Sequence, residues 1–340
     1  MNRRSVSMKD VAALAGVSVG TVSNVINCPE RVSDVTRERV GVAIDKLGWV
    51  PNETARQLRV GRSRAVGLIV MDVANPFFAD VALGVEDALY EHGFSVYIGN
   101  SDQQTDREAM LIRHFEQHQV RGVILAPIAG VNEHAQVLRH RGIPVVMVDR
   151  SSDDDFCSVG VDDVEGGRLA AAHLLERGHR RLAFVGGPSV LAQVRDRRDG
   201  AESAVQDYGG TLLAISTPTL AVEPGKAAAG EIASMPDAER PTAVFAANDL
   251  LAIGLLQGLV AAGLRVPGDI ALIGYDDIEF AAAAAVPLSS VRQPRRALGQ
   301  RAAAMLLDEI AAGETGAAHR HEVVRMVPVL VPRASTASPR

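Results

Sequence analysis

Apolar positions recur in two rhythms along this chain, and the change between them divides it. Over the first 50 residues the rhythm is helical. Val11, Leu14 and Ala15 fall at i, i+3, i+4 behind Ser7, a side chain able to cap a helix, and Gly16 ends the run. Ser18 can cap a second helix only two residues later, with Val22, Val25 and Ile26 as its inner stripe. After Pro29 a third cap, Ser33, opens a longer run carrying Val40, Ala43, Ile44 and Leu47 at i, i+3, i+4, i+7, and Gly48 closes it. A tight glycine turn between two short helices makes them cross steeply, the geometry of a helix-turn-helix. Three short helices sharing one apolar face form a core small enough to need a partner for stability.

From Ala65 onward short β-branched runs alternate with helical segments: AVGLIVMD, FSVYIGN, GVILAP, IPVVMVDR, CSVGVDD, RLAFVGG, TAVFAAND and IALIGYDD. Strand, helix, strand at this spacing predicts an α/β fold of parallel sheets covered by helices on both faces. Two such doubly wound units are expected, with SSVRQP and VVRMVPVLV as returns that tie them together. The expected organisation is a head over residues 1–50, a linker over 51–64 and a body over 65–340. Within the body, a first subdomain takes about 65–161 plus 291–322, a second takes about 162–290 plus 323–332, and 333–340 is a tail.

Composition narrows the class. At 340 residues, with 47% hydrophobic and 22% charged side chains, the chain reads as globular with room for two or three cores. It has no run of 18 apolar residues, and the start MNRRSVSMKDVAAL lacks the apolar stretch of a secretory signal, so a cytoplasmic protein without membrane contact is expected. Cys28 and Cys157 read as ordinary reduced thiols. The net charge of −6 hides an asymmetry: residues 1–64 hold eleven basic and six acidic side chains, net +5, which leaves −11 for the rest. A basic head on an acidic body is the footprint of a module that meets phosphate.

The outward residues of the second helix fit that footprint. Ser18, Val19, Gly20, Thr21, Ser23 and Asn24 cluster at its start. From a helix N-terminus such side chains reach base edges in a major groove, where Asn bonds adenine through two contacts and valine methyls pack on a thymine methyl. The linker continues with PNETARQL, a short helical stretch poor in apolar anchors, and the basic loop RVGRSR. So short a helix is marginal alone in water. It is expected to order only when two copies pack together on DNA.

The runs MKDVAALAGVSVGTVSNVIN, RVSDVTRERV and LGWVPNETARQLRVGRSRAVGLIV resemble the head, hinge and first core strand of the lactose-repressor (LacI/GalR) family, and the likeness continues over essentially the whole chain. The resemblance implies a sequence-specific transcription regulator that binds operator DNA as a homodimer. It implies a body of type I periplasmic-binding-protein fold with a small-molecule effector in the cleft between subdomains. It places Leu58 as a wedge in the minor groove at the operator centre, beside Asn52 and Arg56 as further DNA contacts. This chain has Asn24 where the family often has Arg, and Leu220 where many members place an aromatic ring.

Ligands in open α/β sheets sit at the carboxyl ends of strands. Those ends offer Asn75, Phe77, Phe78, Ser101, Asp149, Arg197, Asn248, Asp249, Tyr275 and Asp276, with Gln293 on a later crossover. The resemblance carries ligand contact most specifically onto Arg197, Asn248, Asp249 and Asp276. Acids, amides and an Arg around an aromatic suit a polyhydroxylated ring, so a mono- or disaccharide is the expected effector, and a purine or nucleoside is the alternative. An enzyme is disfavoured, because no P-loop, HExxH or GxSxG pattern occurs and the adjacent pairs Asp162–Asp163 and Asp276–Asp277 point opposite ways on an extended chain. His114 and His118 have metal-compatible i, i+4 spacing but read as a solvated helix face, and neither metal nor cofactor is expected. A solute-binding transport receptor, the other rival, is disfavoured by the attached head.

Overall fold

The structure, a computed structural model, describes residues 6–50, 63–129, 133–150 and 156–337. The chain forms two compact units, Met1–Ser63 and Arg64–Arg340. The first unit contains α1 (Met8–Ala15), α2 (Val19–Asn27) and α3 (Asp34–Leu47); α1 and α2 are capped as expected, whereas the Ser33 side chain at the start of α3 makes no capping hydrogen bond. Ser7 N donates to Asp10 Oδ2 at 2.8 Å, and Thr21 N donates to the Ser18 hydroxyl at 3.0 Å. Gly16 and Gly48 end α1 and α3 at φ +65° and +58°, the left-handed conformation that glycine adopts without steric penalty. Val11, Ala15, Val22, Val40 and Ala43 form the core as expected, with Val25, Ile26, Ile44 and Leu47 partly buried against it and Ala12 and Trp49 joining it. Leu14, expected on the inner face, is instead exposed, and Ala12 takes the buried position on α1.

The second unit contains two six-stranded sheets. In the first, β1 (Ala65–Val70), β2 (Ser95–Asn100), β3 (Val123–Leu125), β4 (Val145–Val148), β5 (Cys157–Val161) and β11 (Val323–Met326) take the order β11-β5-β4-β3-β1-β2. In the second, β6 (Arg181–Gly186), β7 (Thr211–Ser216), β8 (Ala243–Ala246), β9 (Ala271–Asp276), β10 (Ser289–Arg292) and β12 (Val329–Val331) take the order β12-β10-β9-β8-β6-β7. Every pairing is parallel except β10 with β12. β1, β4, β8 and β9 are buried along their whole lengths, which is why their sequences are continuous apolar runs and not alternating ones.

Two boundaries differ from the expectation. Ser289–Arg292 pairs with β9, so the chain leaves the second sheet after Arg292 and not before Val291. Val323–Met326 pairs with β5 in register Val323↔Ser158, so β11 belongs to the first sheet and the return to the second falls after Met326. Neither short β-branched segment announces its neighbour, because pairing is set by the three-dimensional path and not by local pattern. The tail is also built in: Ser335 and Thr336 are buried, and the Ser335 hydroxyl donates to Leu272 O at 2.5 Å.

Helices α4 (Pro76–Tyr90), α5 (Thr105–Gln117), α6 (Glu133–His140), α7 (Asp163–Glu176), α8 (Ala192–Asp207), α9 (Val222–Ser234), α10 (Asp249–Ala261), α11 (Glu279–Ala283) and α12 (Arg295–Thr315) cover the sheets. Three helix pairs meet at backbone distance through reciprocal glycines. A Cβ on Gly84 of α4 would lie 2.1 Å from Arg296 O, and one on Gly299 of α12 would lie 2.0 Å from Val81 O. Gly167 and Gly200 do the same for α7 and α8, and Gly225 and Gly254 for α9 and α10. Among the described residues, no helix is long and apolar enough to cross a membrane.

Candidate functional site

On the head, Ser18, Val19, Gly20 and Asn24 are exposed along one edge of α2. Thr21 and Ser23 are half-buried there. The Thr21 hydroxyl lies 2.9 Å from that of Ser18, and Ser23 receives the Asn27 amide at its carbonyl, 2.8 Å away. The Thr21 hydroxyl is thereby engaged by Ser18 and that of Ser23 accepts from the same Asn27 amide at 3.3 Å, while Val19 and Asn24 are exposed. Asn52, Arg56 and Leu58 lie outside the described residues.

In the body, one cavity joins the two subdomains. Met71, Asn75, Phe77, Phe78 and Asp149 line it from the first, Gln193, Arg197, Leu220, Asn248 and Asp276 from the second, and Gln293 from the crossover. Strand ends and the helices that follow them deliver these residues. Asn75 caps α4 after β1, accepting from Phe77 N at 3.0 Å, and Asn248 caps α10 after β8, accepting from Leu251 N at 2.9 Å. The amide of Asn248 meanwhile donates to Leu220 O at 3.1 Å and fixes the loop after β7. Phe77 and Phe78 pack edge to face at 4.9 Å. Asp149 and Asp276 hold positive φ values of 59° and 103°, conformations that cost non-glycine residues on the order of 1–3 kcal/mol and concentrate at functional sites.

The polar groups form two separate hydrogen-bonded sets, one on Asp276 and one on Asp149. Gln293 Nε2 donates to Asp276 Oδ1 at 2.7 Å, and Asn75 Nδ2 donates across the cleft to Asp276 Oδ2 at 3.4 Å. Gln193 Nε2 likewise crosses to Asp149 Oδ2 at 3.4 Å. Asp149 Oδ1 and Gln293 Oε1 are buried with no hydrogen-bond partner among the described residues. Arg197 Nε donates to Asp163 Oδ1 at 2.8 Å and one terminal nitrogen to Ala247 O at 2.8 Å, while its guanidinium carbon sits 3.7 Å from the centre of the Tyr275 ring. Burial pushes the Asp149 carboxyl well above the ordinary carboxylate range, with Asp163 adding to the rise and Arg197 opposing it. Burial raises Asp276 too, against Arg197 and the amides of Gln293 and Asn75. The cavity volume is about 20 Å³, room for roughly one water.

Three expected residues do not line the cleft. Ser101 is buried behind it, its hydroxyl donating to Val70 O at 3.2 Å. Asp249 sits under the strand ends, its two oxygens accepting from Ile278 N at 2.9 Å and from the Ser290 hydroxyl at 2.7 Å. Tyr275 forms the floor beneath Arg197, one residue along an extended strand from Asp276 and so on the opposite face. Conversely, Met71 and Gln193 line the cleft without having been singled out. Gln193 precedes Arg197 by one helical turn of α8, and that i, i+4 spacing was the signal available. The acidic pairs diverge as expected, Asp277 turning to Arg292 at 2.7 Å and Arg333 at 2.6 Å. Among the described residues, His114 and His118 belong to no group of three or more metal-type ligands. A different set does form one: Cys157, Glu309, His319 and His321 bring four ligand atoms within 4.8 Å of one another, among residues up to 164 positions apart.

A helix-turn-helix head joined to two doubly wound subdomains around a polar cleft defines a DNA-binding regulator with a ligand-sensing body. The family of bacterial regulatory proteins of the lacI type matches residues 7–52, and the periplasmic binding protein-like domain family matches residues 171–336. The HTH-type transcriptional repressor PurR of Aliivibrio fischeri (strain MJ11) is 33% identical over 334 residues, 97% of this chain and 98% of that protein. Among solved structures, the transcriptional regulator CelR in complex with cellobiose is similar over 97% of this chain and 99% of its own, at 34% identity and a TM-score of 0.71. The Lac repressor dimer bound to operator and the anti-inducer ONPF is similar over 98% and 99%, at 26% identity and a TM-score of 0.82. The chain belongs to the LacI family of DNA-binding transcription regulators.

Proposed function

We propose that this chain is a cytoplasmic repressor without catalytic activity that binds a pseudo-palindromic operator as a homodimer and releases or tightens its grip when a mono- or disaccharide enters the cleft. The observation that carries the effector class is the pairing of Asp149 and Asp276 around one cavity, with Asp149 Oδ1 and Gln293 Oε1 lacking partners among the described residues. Carboxylate and amide oxygens are acceptors, and a polyhydroxylated ring is a dense set of donors. The cellobiose complex of CelR supports the same class. Because about 20 Å³ holds roughly one water, a sugar must part the walls and replace the cross-cleft contacts Asn75–Asp276 and Gln193–Asp149. Closure and opening are therefore chemically tied to the ligand, which acts only through its different affinity for the two arrangements.

A purine effector is the second reading, favoured by the edge-to-face Phe77–Phe78 pair in the lining and by the likeness to PurR. Thermal shift and calorimetry against cellobiose, ribose, hypoxanthine and guanine separate the two, read alongside gel shifts on DNA upstream of the gene. The saccharide reading expects stabilisation and altered operator affinity with a sugar. Response to a purine alone overturns it in favour of the second. Asp276→Asn removes a buried charged acceptor worth about 1.5–3 kcal/mol, so saccharide affinity should fall more than tenfold while unliganded operator binding persists. Unchanged affinity in that variant would exclude this cleft.

A further inference from the structure

The cluster of Cys157, Glu309, His319 and His321 gathers at the opening of β5, the opposite end of that strand from the carboxyl ends that supply the cleft, and shares no residue with the cleft lining. Cys157 opens β5, Glu309 lies on α12, and the two histidines belong to the segment 317–322 that leads into β11. The β11 register sets Val323 beside Ser158, which brings the preceding residues alongside Cys157. His319 and His321, two apart on the approach to that strand, both turn to the thiol: Cys157 Sγ is 3.1 Å from His319 Nε2 and 3.8 Å from His321 Nδ1. Glu309 Oε1 closes the group, 3.7 Å from His319 Nε2 and 3.5 Å from His321 Nδ1. That oxygen is buried and accepts no hydrogen bond among the described residues, although its side chain is only 10% exposed.

We propose that these four residues form a binding site for one divalent transition-metal ion of the zinc type. Bonds of about 2.0–2.3 Å to zinc in tetrahedral array put neighbouring ligand atoms roughly 3.3–3.8 Å apart, because a tetrahedron's edge is about 1.6 times its centre-to-corner distance. Four of the six separations, 3.1, 3.5, 3.7 and 3.8 Å, fall on or beside that interval, and all six lie within 4.8 Å. One thiolate, two imidazoles and one carboxylate suit zinc or cobalt, and exclude the all-oxygen preference of calcium and magnesium. The surroundings also fit: Glu322 N points at Cys157 Sγ from 3.4 Å, a donor that would steady a metal-bound thiolate. Four protein ligands leave no open position, so the ion is structural and not catalytic. It would fasten the segment 317–322 to the edge of the first sheet, immediately before the chain crosses from β11 to β12 in the second.

The test uses untagged full-length protein stripped with chelator and titrated with Co²⁺. One equivalent per chain should bind with a cobalt–thiolate charge-transfer band and the visible bands of tetrahedral cobalt, and Zn²⁺ should displace it. Cys157→Ser should abolish the charge-transfer band. The double variant His319→Gln/His321→Gln, altering half-buried side chains outside any helix or strand, should weaken binding at least tenfold while circular dichroism stays unchanged. Binding of less than one equivalent, a band that survives Cys157→Ser and so arises at Cys28, or unchanged affinity in the double variant would each overturn the site.

Discussion

Asp149 shows how one side chain can be held for function against stability. Its carboxyl is buried at positive φ, one oxygen lacks a partner among the described residues, and burial raises its pKa. In the unfolded chain the same group ionises near about 3.9. Between that value and the higher folded one, the folded state holds more protons, so its contribution to stability is present at low pH and lost as the pH rises. Asp149→Asn should therefore melt higher than the parent at pH 8 and lose that advantage at pH 4, while losing effector affinity. Melting curves that run parallel at both pH values would show that the carboxyl is not strained by its site. Arg197 is the opposite case, since it neutralises Asp163 and supports Tyr275 besides facing the cleft. Strand ends were enough to find most of these residues, because a parallel sheet must present its ligand site there. They could not separate Asp276, which enters the cleft, from Asp249, which braces Ile278 and Ser290 beneath it. Both follow strands and both are acidic. Only the direction of the side chain distinguishes them.

Elements meet here in ways that local pattern conceals. Apolar periodicity and caps located the helices of the head and the strands of the body, because those signals are local. The reciprocal glycines are not: Gly84 and Gly299 are 215 positions apart and gain meaning only when α4 and α12 touch. Gly299→Ala would press a methyl to 2.0 Å from Val81 O, a backbone atom that cannot rotate away, so the helices must separate. Overpacking of this kind costs about 1–3 kcal/mol, and denaturant unfolding should show at least that loss with an unchanged slope. The same blindness to distance hid the cluster around Cys157, whose only local trace is the HRH triplet at 319–321. A second long-range tie makes a pH prediction. His173 on α7 sits 2.7 Å from the Thr336 hydroxyl of the buried tail, and burial, with Arg177 nearby, pushes its pKa down to about 4. The unfolded chain takes up that proton near about 6.5, so stability is full above that value and falls as the pH drops towards 4. His173→Gln should flatten the dependence over that window, and a slope unchanged from the parent would assign acid sensitivity elsewhere.

At the scale of the whole molecule, charge and symmetry decide how operator binding behaves. Residues 1–64 carry net +5 and the remainder −11, so attraction to phosphate resides in the head and is opposed by the body. One head presents a single short reading helix, with Val19, Gly20 and Asn24 exposed on it. So few base contacts give little specificity, and a dyad-related pair reading two half-sites about one helical turn apart supplies what one head lacks. Each phosphate neutralised releases condensed counterions and adds about −0.9 to the slope of log affinity against log salt. If both heads engage, the slope should be twice that of the isolated half-site complex, and affinity should collapse on a half-site by far more than the loss of one head's contacts. Fluorescence anisotropy on full and half operators across a salt series gives both slopes, and mass photometry gives the stoichiometry. A single chain on the full operator, or equal slopes on the two DNAs, would refute the dimeric reading. Doubled slopes with two chains bound would instead make salt and dimer concentration joint determinants of repression, with the effector acting on a complex already poised by electrostatics.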